Sequence, residues 1–125
     1  MKYFLVVFLI LSFNAYSQNK RLILGKEYAQ KELKTTLSEE APGNYVDNER
    51  ILLKDKSSAI KVAESILFGI YGKQNILDQK PYEVYFLDKY YWFIEGTLPE
   101  NSKGGTFLII IDARNSKILR ITHGK

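Results

Sequence analysis

The spacing of apolar residues predicts two helices in the first half of the chain. Between residues 57 and 71, apolar side chains recur every three or four positions with Lys and Glu between them, a pattern typical of an amphipathic helix on a core. Asp55 or Ser57 suits its N-cap, and Gly72 ends it. Gly69 lowers the stability of this helix by about 1 kcal/mol relative to Ala, so we expect close packing on a sheet there.

The other predicted helix, over residues 26–40, has a narrow apolar stripe among charged residues. This pattern predicts a surface helix that covers another element. Pro42 and Gly43 follow it and favour a turn.

From Pro81 onward the period of the apolar pattern changes from 3.6 to 2, which predicts strands. The predicted strands are residues 81–87, 90–98, 106–112 and 117–123. Asp88 and Lys89 favour a tight hairpin between the first two strands, and the nearly all-apolar third strand is predicted to be central. The order predicts an α+β fold, with two N-terminal helices followed by a curved four-stranded antiparallel meander sheet packed on the core helix.

Strand alternation divides the sheet residues between two faces. The face toward the helix is predicted to carry Val84, Phe86, Trp92, Ile94, Leu98, Leu119 and Ile121. The outward face is predicted to carry Glu83, Tyr85, Tyr91, Phe93, Glu95, Thr97 and Arg120. The outward set is rich in aromatic residues and Arg, which protein interfaces enrich.

This composition supports a hypothesis of partner binding. The predicted partner-binding residues are Glu83, Tyr85, Tyr91, Phe93, Glu95 and Arg120, together with the turn-forming loop of residues 99–105. Two alternatives stay open: the aromatic residues are there only because they favour strands, or the first helix covers part of the face.

Composition and motifs favour a binding protein over an enzyme. The 125 residues suit one domain and include no Cys and one His, His123, so thiolate chemistry is excluded and a metal site is not expected. Glu95 has no evident titrating partner for acid–base catalysis, and pairing with Arg120 or a Lys is the expected use. Gly104-Gly105 precedes a strand and favours a turn over a phosphate loop. We expect no catalytic residues, no cofactor and no metal.

Charge and the N-terminus bear on location. The net charge of +4 is dispersed along the chain, so a nucleic-acid partner is not expected. Residues 1–17 combine Lys2, an apolar run and small residues near position 17, the layout of a cleaved signal peptide. We expect a periplasmic or secreted protein that begins at Gln18 and has no stable membrane anchor after cleavage.

The second half of the chain resembles a family of small bacterial NTF2-fold immunity proteins. The matching motifs are Ala59-Ile60, Ala63-Glu64, Tyr71-Gly72, Lys80-Pro81-Tyr82, Trp92, Glu95-Gly96-Thr97-Leu98-Pro99, Gly104-Gly105 and His123-Gly124-Lys125. The resemblance implies an NTF2-like or cystatin-like fold for an immunity-like domain (57–125). The signal-like composition sets apart a signal peptide (1–17), and a helical extension (18–56) lies between the two.

The resemblance also implies a function and leaves rivals to it. It implies a role in a toxin–antitoxin pair, in which the protein neutralises a polymorphic toxin by binding it, without catalysis. The signal peptide, a departure from the family pattern, adds the expectation that this binding takes place outside the cytoplasm. The alternatives are a PepSY-like or cystatin-like inhibitor or processing domain, which the turn of residues 111–119 also suits, and an NTF2-like enzyme that uses Glu95. The sequence identifies neither the toxin nor the oligomeric state.

Overall fold

The computed structural model describes residues 20–124, and the chain divides into two compact units, Met1–Pro42 and Gly43–Lys125. In the first unit, α1 (Gly25–Leu37) confirms the predicted N-terminal helix. Glu27 lies in its first turn and Lys34 in its last, an arrangement that complements the helix dipole. The predicted signal peptide lies outside the described residues, and the covering role of α1 stays a prediction.

The second unit begins its regular structure with α2 (Lys56–Tyr71). The Asp55 carboxylate caps this helix by accepting a hydrogen bond from the Ser58 N–H at 2.8 Å, and this bond lowers the pKa of Asp55. Gly72 ends the helix at φ 87°, a conformation that favours glycine. A short helix that the sequence analysis did not predict, α3 (Lys73–Leu77), follows directly.

Four strands form the predicted antiparallel meander. They are β1 (Glu83–Leu87), β2 (Tyr91–Glu95), β3 (Phe107–Asp112) and β4 (Ile118–His123), in the order β1-β2-β3-β4. The first hairpin turns through Asp88 and Lys89, both at positive φ, and the Tyr90 N–H donates to the Leu87 carbonyl. The α+β fold class is therefore confirmed, and β3 lies between two neighbours as predicted.

One face of the sheet packs against α2 and forms the core. Ala59, Ala63 and Leu67 of α2 are buried there. The sheet contributes Trp92, Ile94, Phe107, Ile109 and Ile111, all buried. We call this side of the sheet the inner face and the opposite side the outer face. Residues at alternate positions of a strand thus separate between the faces as the sequence predicted.

The segment before α2 also joins this core. Leu53 is buried, its carbonyl accepts a hydrogen bond from the Trp92 indole at 2.9 Å, and the Leu52 and Leu53 N–H groups both donate to the Ala113 carbonyl. These bonds fix the chain leading into α2 against the end of β3. The predicted domain boundary after residue 56 stays a prediction.

Three details of the predicted packing are wrong. A β-bulge at Ile110/Ile111 pairs Ile118 with Ile111 and leaves Leu119 exposed, because the extra residue reverses the alternation. Leu98 follows the end of β2 and is also exposed. No atom lies within 4 Å of a Cβ placed on Gly69, so close packing does not explain that glycine.

Candidate functional site

The outer face of the sheet presents its residues in three cross-strand rows. The first row is Glu83, Glu95, Leu108 and Thr122; the second is Tyr85, Phe93, Ile110 and Arg120; the third is Leu87, Tyr91 and Asp112. All six predicted partner-binding residues lie on this face.

The centre of the outer face is apolar and accessible. Phe93 and Ile110 are half-buried, whereas 49% of Tyr85 and 47% of Leu87 are exposed. The Tyr85 and Phe93 rings lie 6.2 Å apart, within the range of aromatic pairs. Contiguous apolar surface with a polar margin is characteristic of a binding surface.

At one end of the outer face, Arg114 holds a buried carboxylate and two aromatic rings. Its Nη2 and Nε donate to Asp112 at 2.8 Å and 3.0 Å, and these bonds lower the pKa of Asp112. The guanidinium also lies 4.1 Å from the Tyr90 ring centre and 5.8 Å from that of Tyr91. A charge-assisted and stacked arginine of this kind fixes both rings.

At the other end, two carboxylates border an open depression of about 720 Å³. Glu83 and Glu95 lie directly opposite each other on β1 and β2. The Tyr85 hydroxyl donates to Glu83 at 3.2 Å, and this hydrogen bond raises the pKa of Tyr85. The remaining lining residues are Gly96, Thr97, Leu98, Gly104, Gly105, Thr106, Leu108, Thr122 and Gly124. We call this feature the acidic depression.

A buried amide, Gln79, supports the acidic depression from the side of the core. Gln79 is 3% exposed, and its Oε1 accepts from the Phe107 N–H at 2.8 Å. Its backbone carbonyl accepts from the Thr97 N–H at 2.8 Å. Gly96 has no room for a side chain, since a Cβ there would overlap the Gln79 amide. One residue thus joins the end of α3 to β3 and to the segment after β2.

The same amide determines the hydrogen-bonding roles of His123. Because Gln79 Oε1 is occupied as an acceptor, Gln79 Nε2 donates to His123 Nε2 at 3.1 Å. The His123 proton then lies on Nδ1, which donates to the Gly124 carbonyl at 2.7 Å. The His123 and Tyr71 ring centres also lie 5.0 Å apart, with the rings tilted by 49°. This histidine therefore ties β4 to α2 and Gln79, a structural role.

Comparison with known proteins identifies the family. The model of the NTF2 fold immunity protein family matches residues 58–125, more than half of the chain. The chain belongs to the NTF2 fold immunity protein family.

Two proteins of Escherichia coli (strain K12) are similar to this chain. The uncharacterized protein YhhH is 36% identical over 87 residues, which cover 69% of this chain and 66% of YhhH. The uncharacterized protein YbbC is 34% identical over 74 residues, which cover 58% of this chain and 60% of YbbC. The chain therefore spans less than two thirds of either relative. No solved structure matches the chain.

The motifs that carry the family resemblance have clear structural roles in this chain. The Tyr82 hydroxyl donates to Glu64 at 2.9 Å, which links the residue just before β1 to α2. Burial and this hydrogen bond raise the pKa of Tyr82. Gly105 and Gly124 approach so closely that a Cβ on Gly105 would overlap the Gly124 backbone. The Tyr82–Glu64 bond and the close approach of the two glycines shape the fold, and both glycines line the acidic depression.

The outer face differs from the sequence interpretation in its charge pairing. Glu95 lies opposite Glu83 and Leu108, while Arg120 lies opposite Ile110. The expected pairing of Glu95 with Arg120 is therefore wrong, and Glu95 instead faces a second acid. The role of the six predicted residues in binding stays a prediction.

Sequence reasoning missed several residues of the site. Leu108 and Ile110 lie on the outer face, but the continuous apolar run of β3 hides its alternation. Gln79 gave no signal because it lies in a polar segment between a helix and a strand. The one available indication of Gln79 was the motif glycine, Gly96, because a glycine can mark a place where another group approaches the backbone closely.

Two further findings concern ligands and membranes. Among residues 20–124, His, Asp and Glu side chains do not come together in any group of three or more that could hold a metal ion. Over the same residues, the helices are too short or too polar to cross a bilayer. The predictions of no cofactor and no metal remain predictions.

Proposed function

We propose that this immunity protein binds a toxin of a bacterial polymorphic toxin system through its outer face and thereby neutralises it. The observation that carries the proposal is the combination of immunity-family membership with an accessible apolar sheet face bordered by charges. The toxin would contact Tyr85, Phe93 and Ile110 at the centre, and Arg120 and the acidic depression at the margins.

The composition of the outer face supports binding over structural packing. Its central aromatic residues are half-buried or exposed in the free chain, so a partner can bury additional apolar area. Aromatic anchors surrounded by a polar margin concentrate binding energy, with about 2 kcal/mol or more lost when a central anchor is truncated. The loop of residues 99–105 borders the acidic depression through Gly104 and Gly105 and extends this surface.

The open shape of the site favours a binding role over catalysis. Glu95 lies in a depression that is open to solvent, beside Glu83, on the surface of the sheet. Acid–base catalysis requires a positioned group in reach of the reacting proton, usually in a site that excludes water. An extended face suits a protein partner instead.

Co-expression tests the proposal, with a toxin domain found by screening the neighbouring genes for one whose product arrests growth. We expect the wild-type protein to restore growth and to elute with the toxin domain as one complex in size-exclusion chromatography. Phe93→Glu places a charge at the apolar centre and should abolish both results. The matched control is Lys61→Glu on the exposed side of α2, which should retain both. Equal protection by both variants would contradict binding through the outer face.

We also propose that the protein acts outside the cytoplasm, where its toxin would attack the cell wall or membrane. The support is the signal-like composition of residues 1–17. Cell fractionation and N-terminal sequencing of the natural protein test this location. A periplasmic chain that begins at Gln18 is expected, whereas an intact Met1 on cytoplasmic protein would contradict it.

A further inference from the structure

The acidic depression has the shape and lining of a site for a long cationic side chain. Four of its lining residues are glycines, Gly96, Gly104, Gly105 and Gly124, which leaves room that side chains would otherwise fill. Leu98 and Leu108 add apolar surface, and three threonines add hydroxyl groups. Lys and Arg combine an apolar stem with a charged end, and both parts of such a side chain find complementary surface here.

The two carboxylates lack a cationic partner of their own. The side-chain ion pairs among residues 20–124 join Asp47 to Arg50, Glu64 to Lys80 and Asp112 to Arg114. Neither Glu83 nor Glu95 takes part in them. Like charges directly opposite each other on neighbouring strands are destabilising, so the free protein retains a repulsion that an incoming cation would relieve.

Arg120, a basic residue of the same face, is too distant to neutralise this pair. Arg120 lies on β4 and Glu95 on β2, and strands two places apart are separated by about 10 Å. Arg120 also belongs to the neighbouring row. The outer face therefore carries opposite charges at separate places, with the apolar centre beside both.

From the shape, the unpaired carboxylates and the continuity with the apolar centre, we infer that the acidic depression receives an Arg or Lys side chain of the bound protein. This inference rests on the proposed function, since the bound protein is the toxin. The charged end of the side chain lies between Glu83 and Glu95, and its stem lies against Leu108. Neighbouring apolar residues of the toxin then contact Phe93 and Ile110.

Titration of the full-length, ¹⁵N-labelled protein with N-acetyl-arginine N-methylamide tests the inference without the toxin. We expect saturable shifts of the amide signals of Gly96, Gly104, Gly105 and Gly124, which line the depression. N-acetyl-lysine N-methylamide should give the same pattern. N-acetyl-citrulline N-methylamide, which has the shape of the arginine probe without its charge, should bind at least about threefold more weakly.

Neutral substitutions of the two acids test whether the arginine probe binds at the acidic depression. Glu83→Gln and Glu95→Gln should each weaken binding of the arginine probe about threefold, and the double variant about tenfold. Glu49→Gln, an exposed acid in the segment before α2, is the matched control and should bind as the wild type does. The melting temperature of Glu95→Gln should equal or exceed that of the wild type, because the substitution removes a like-charge repulsion.

Several results would overturn the inference. They are equal binding of the citrulline probe, wild-type affinity in the double variant, a lowered melting temperature of Glu95→Gln, or shifts produced by CaCl₂ but by neither cationic probe. The last result would indicate a metal site instead.

Binding of the toxin domain separates this inference from the proposed function. Suppose that the double variant retains wild-type affinity for the toxin while Phe93→Glu loses it. The outer face then binds the toxin, but the inference that the acidic depression receives a cationic side chain is wrong. If Phe93→Glu also retains wild-type affinity, the proposed function itself fails. The expected result is that both variants bind the toxin more weakly.

Discussion

Along β3 both faces of the sheet are apolar, but their environments differ. On β3, Phe107 and Ile109 of the inner face are fully buried, whereas their neighbours Leu108 and Ile110 of the outer face are half-buried. The inner residues contribute to folding because α2 removes them from water. The outer residues retain apolar surface that folding of the Gly43–Lys125 unit leaves accessible. This contrast is the physical basis for assigning stability to one face and binding to the other.

Adjacent aromatic residues on β2 test this contrast with the largest expected effect. Trp92 is 7% exposed, packs 4.7 Å from the Phe86 ring and donates to the Leu53 carbonyl. Trp92→Ala should lower the free energy of unfolding by about 3–5 kcal/mol, measured by urea denaturation followed by circular dichroism.

Phe93→Ala is the control for Trp92→Ala, since it removes the next ring along the same strand from the opposite face. We expect a loss of about 1 kcal/mol, because much of this side chain is already in contact with water. If Phe93→Ala destabilises the protein as much as Trp92→Ala does, the outer face is part of the folding core and the contrast is wrong.

The sequence predicted the faces better than it predicted the contacts between elements. Alternation in β2 separates Trp92 from Phe93 without any tertiary information, because successive strand residues point to opposite sides. It could not place Leu119, since a bulge depends on the pairing between β3 and β4. The opposed acids, Glu83 and Glu95, likewise depend on register, which the hairpin connection sets.

Gln79 and Gly96 sharpen the comparison at the place where the two faces are linked. Gly96→Ala should destabilise the protein by about 1–3 kcal/mol, since the added methyl overlaps the Gln79 side chain. Gln79→Ala should also destabilise it by about 1–3 kcal/mol, because the buried Phe107 N–H loses its acceptor.

A double-mutant cycle distinguishes direct contact from two independent defects. Gln79→Ala makes room for the methyl group that Gly96→Ala adds. The loss in free energy of unfolding in the double variant should therefore be about 1 kcal/mol smaller than the sum of the two single losses. Gln74→Ala, which removes an exposed glutamine of α3, serves as the control and should combine additively with Gly96→Ala. Additivity in the Gln79 cycle would show that the two residues act separately.

Acid denaturation tests the Asp112–Arg114 pair at the end of the outer face. The pKa of Asp112 is lowered in the folded protein by the Arg114 hydrogen bonds, so the unfolded chain takes up this proton first as the pH falls. The stabilisation is therefore complete above the unfolded pKa, near 3.8, and is lost as the pH falls through the lower folded value.

Asp112→Asn should accordingly lower stability at pH 7 by about 1–2 kcal/mol and reduce the loss of stability between about pH 5 and pH 2. Urea denaturation at a series of pH values measures both effects. Glu100→Gln removes a negative charge from the exposed loop and controls for net charge. If the free energy of unfolding of Asp112→Asn falls with decreasing pH as steeply as that of the wild type, other carboxylates account for the acid denaturation.

The smallest expected effect concerns α2 on the side that does not pack on the inner face. Gly69 is exposed, and a Cβ there meets no atom within 4 Å, so Gly69→Ala should gain helix propensity without overlap. The expected gain is about 0.5–1 kcal/mol, which corresponds to a rise of about 2–8 °C in melting temperature for a unit of this size.

Gly72→Ala is the matched control at the end of the same helix. Because Gly72 has a φ of 87°, the added methyl should strain the backbone and lower the melting temperature. A lower melting temperature for Gly69→Ala as well would mean that this side of α2 contacts another surface, and the assignment of stability to the inner face alone would be incomplete.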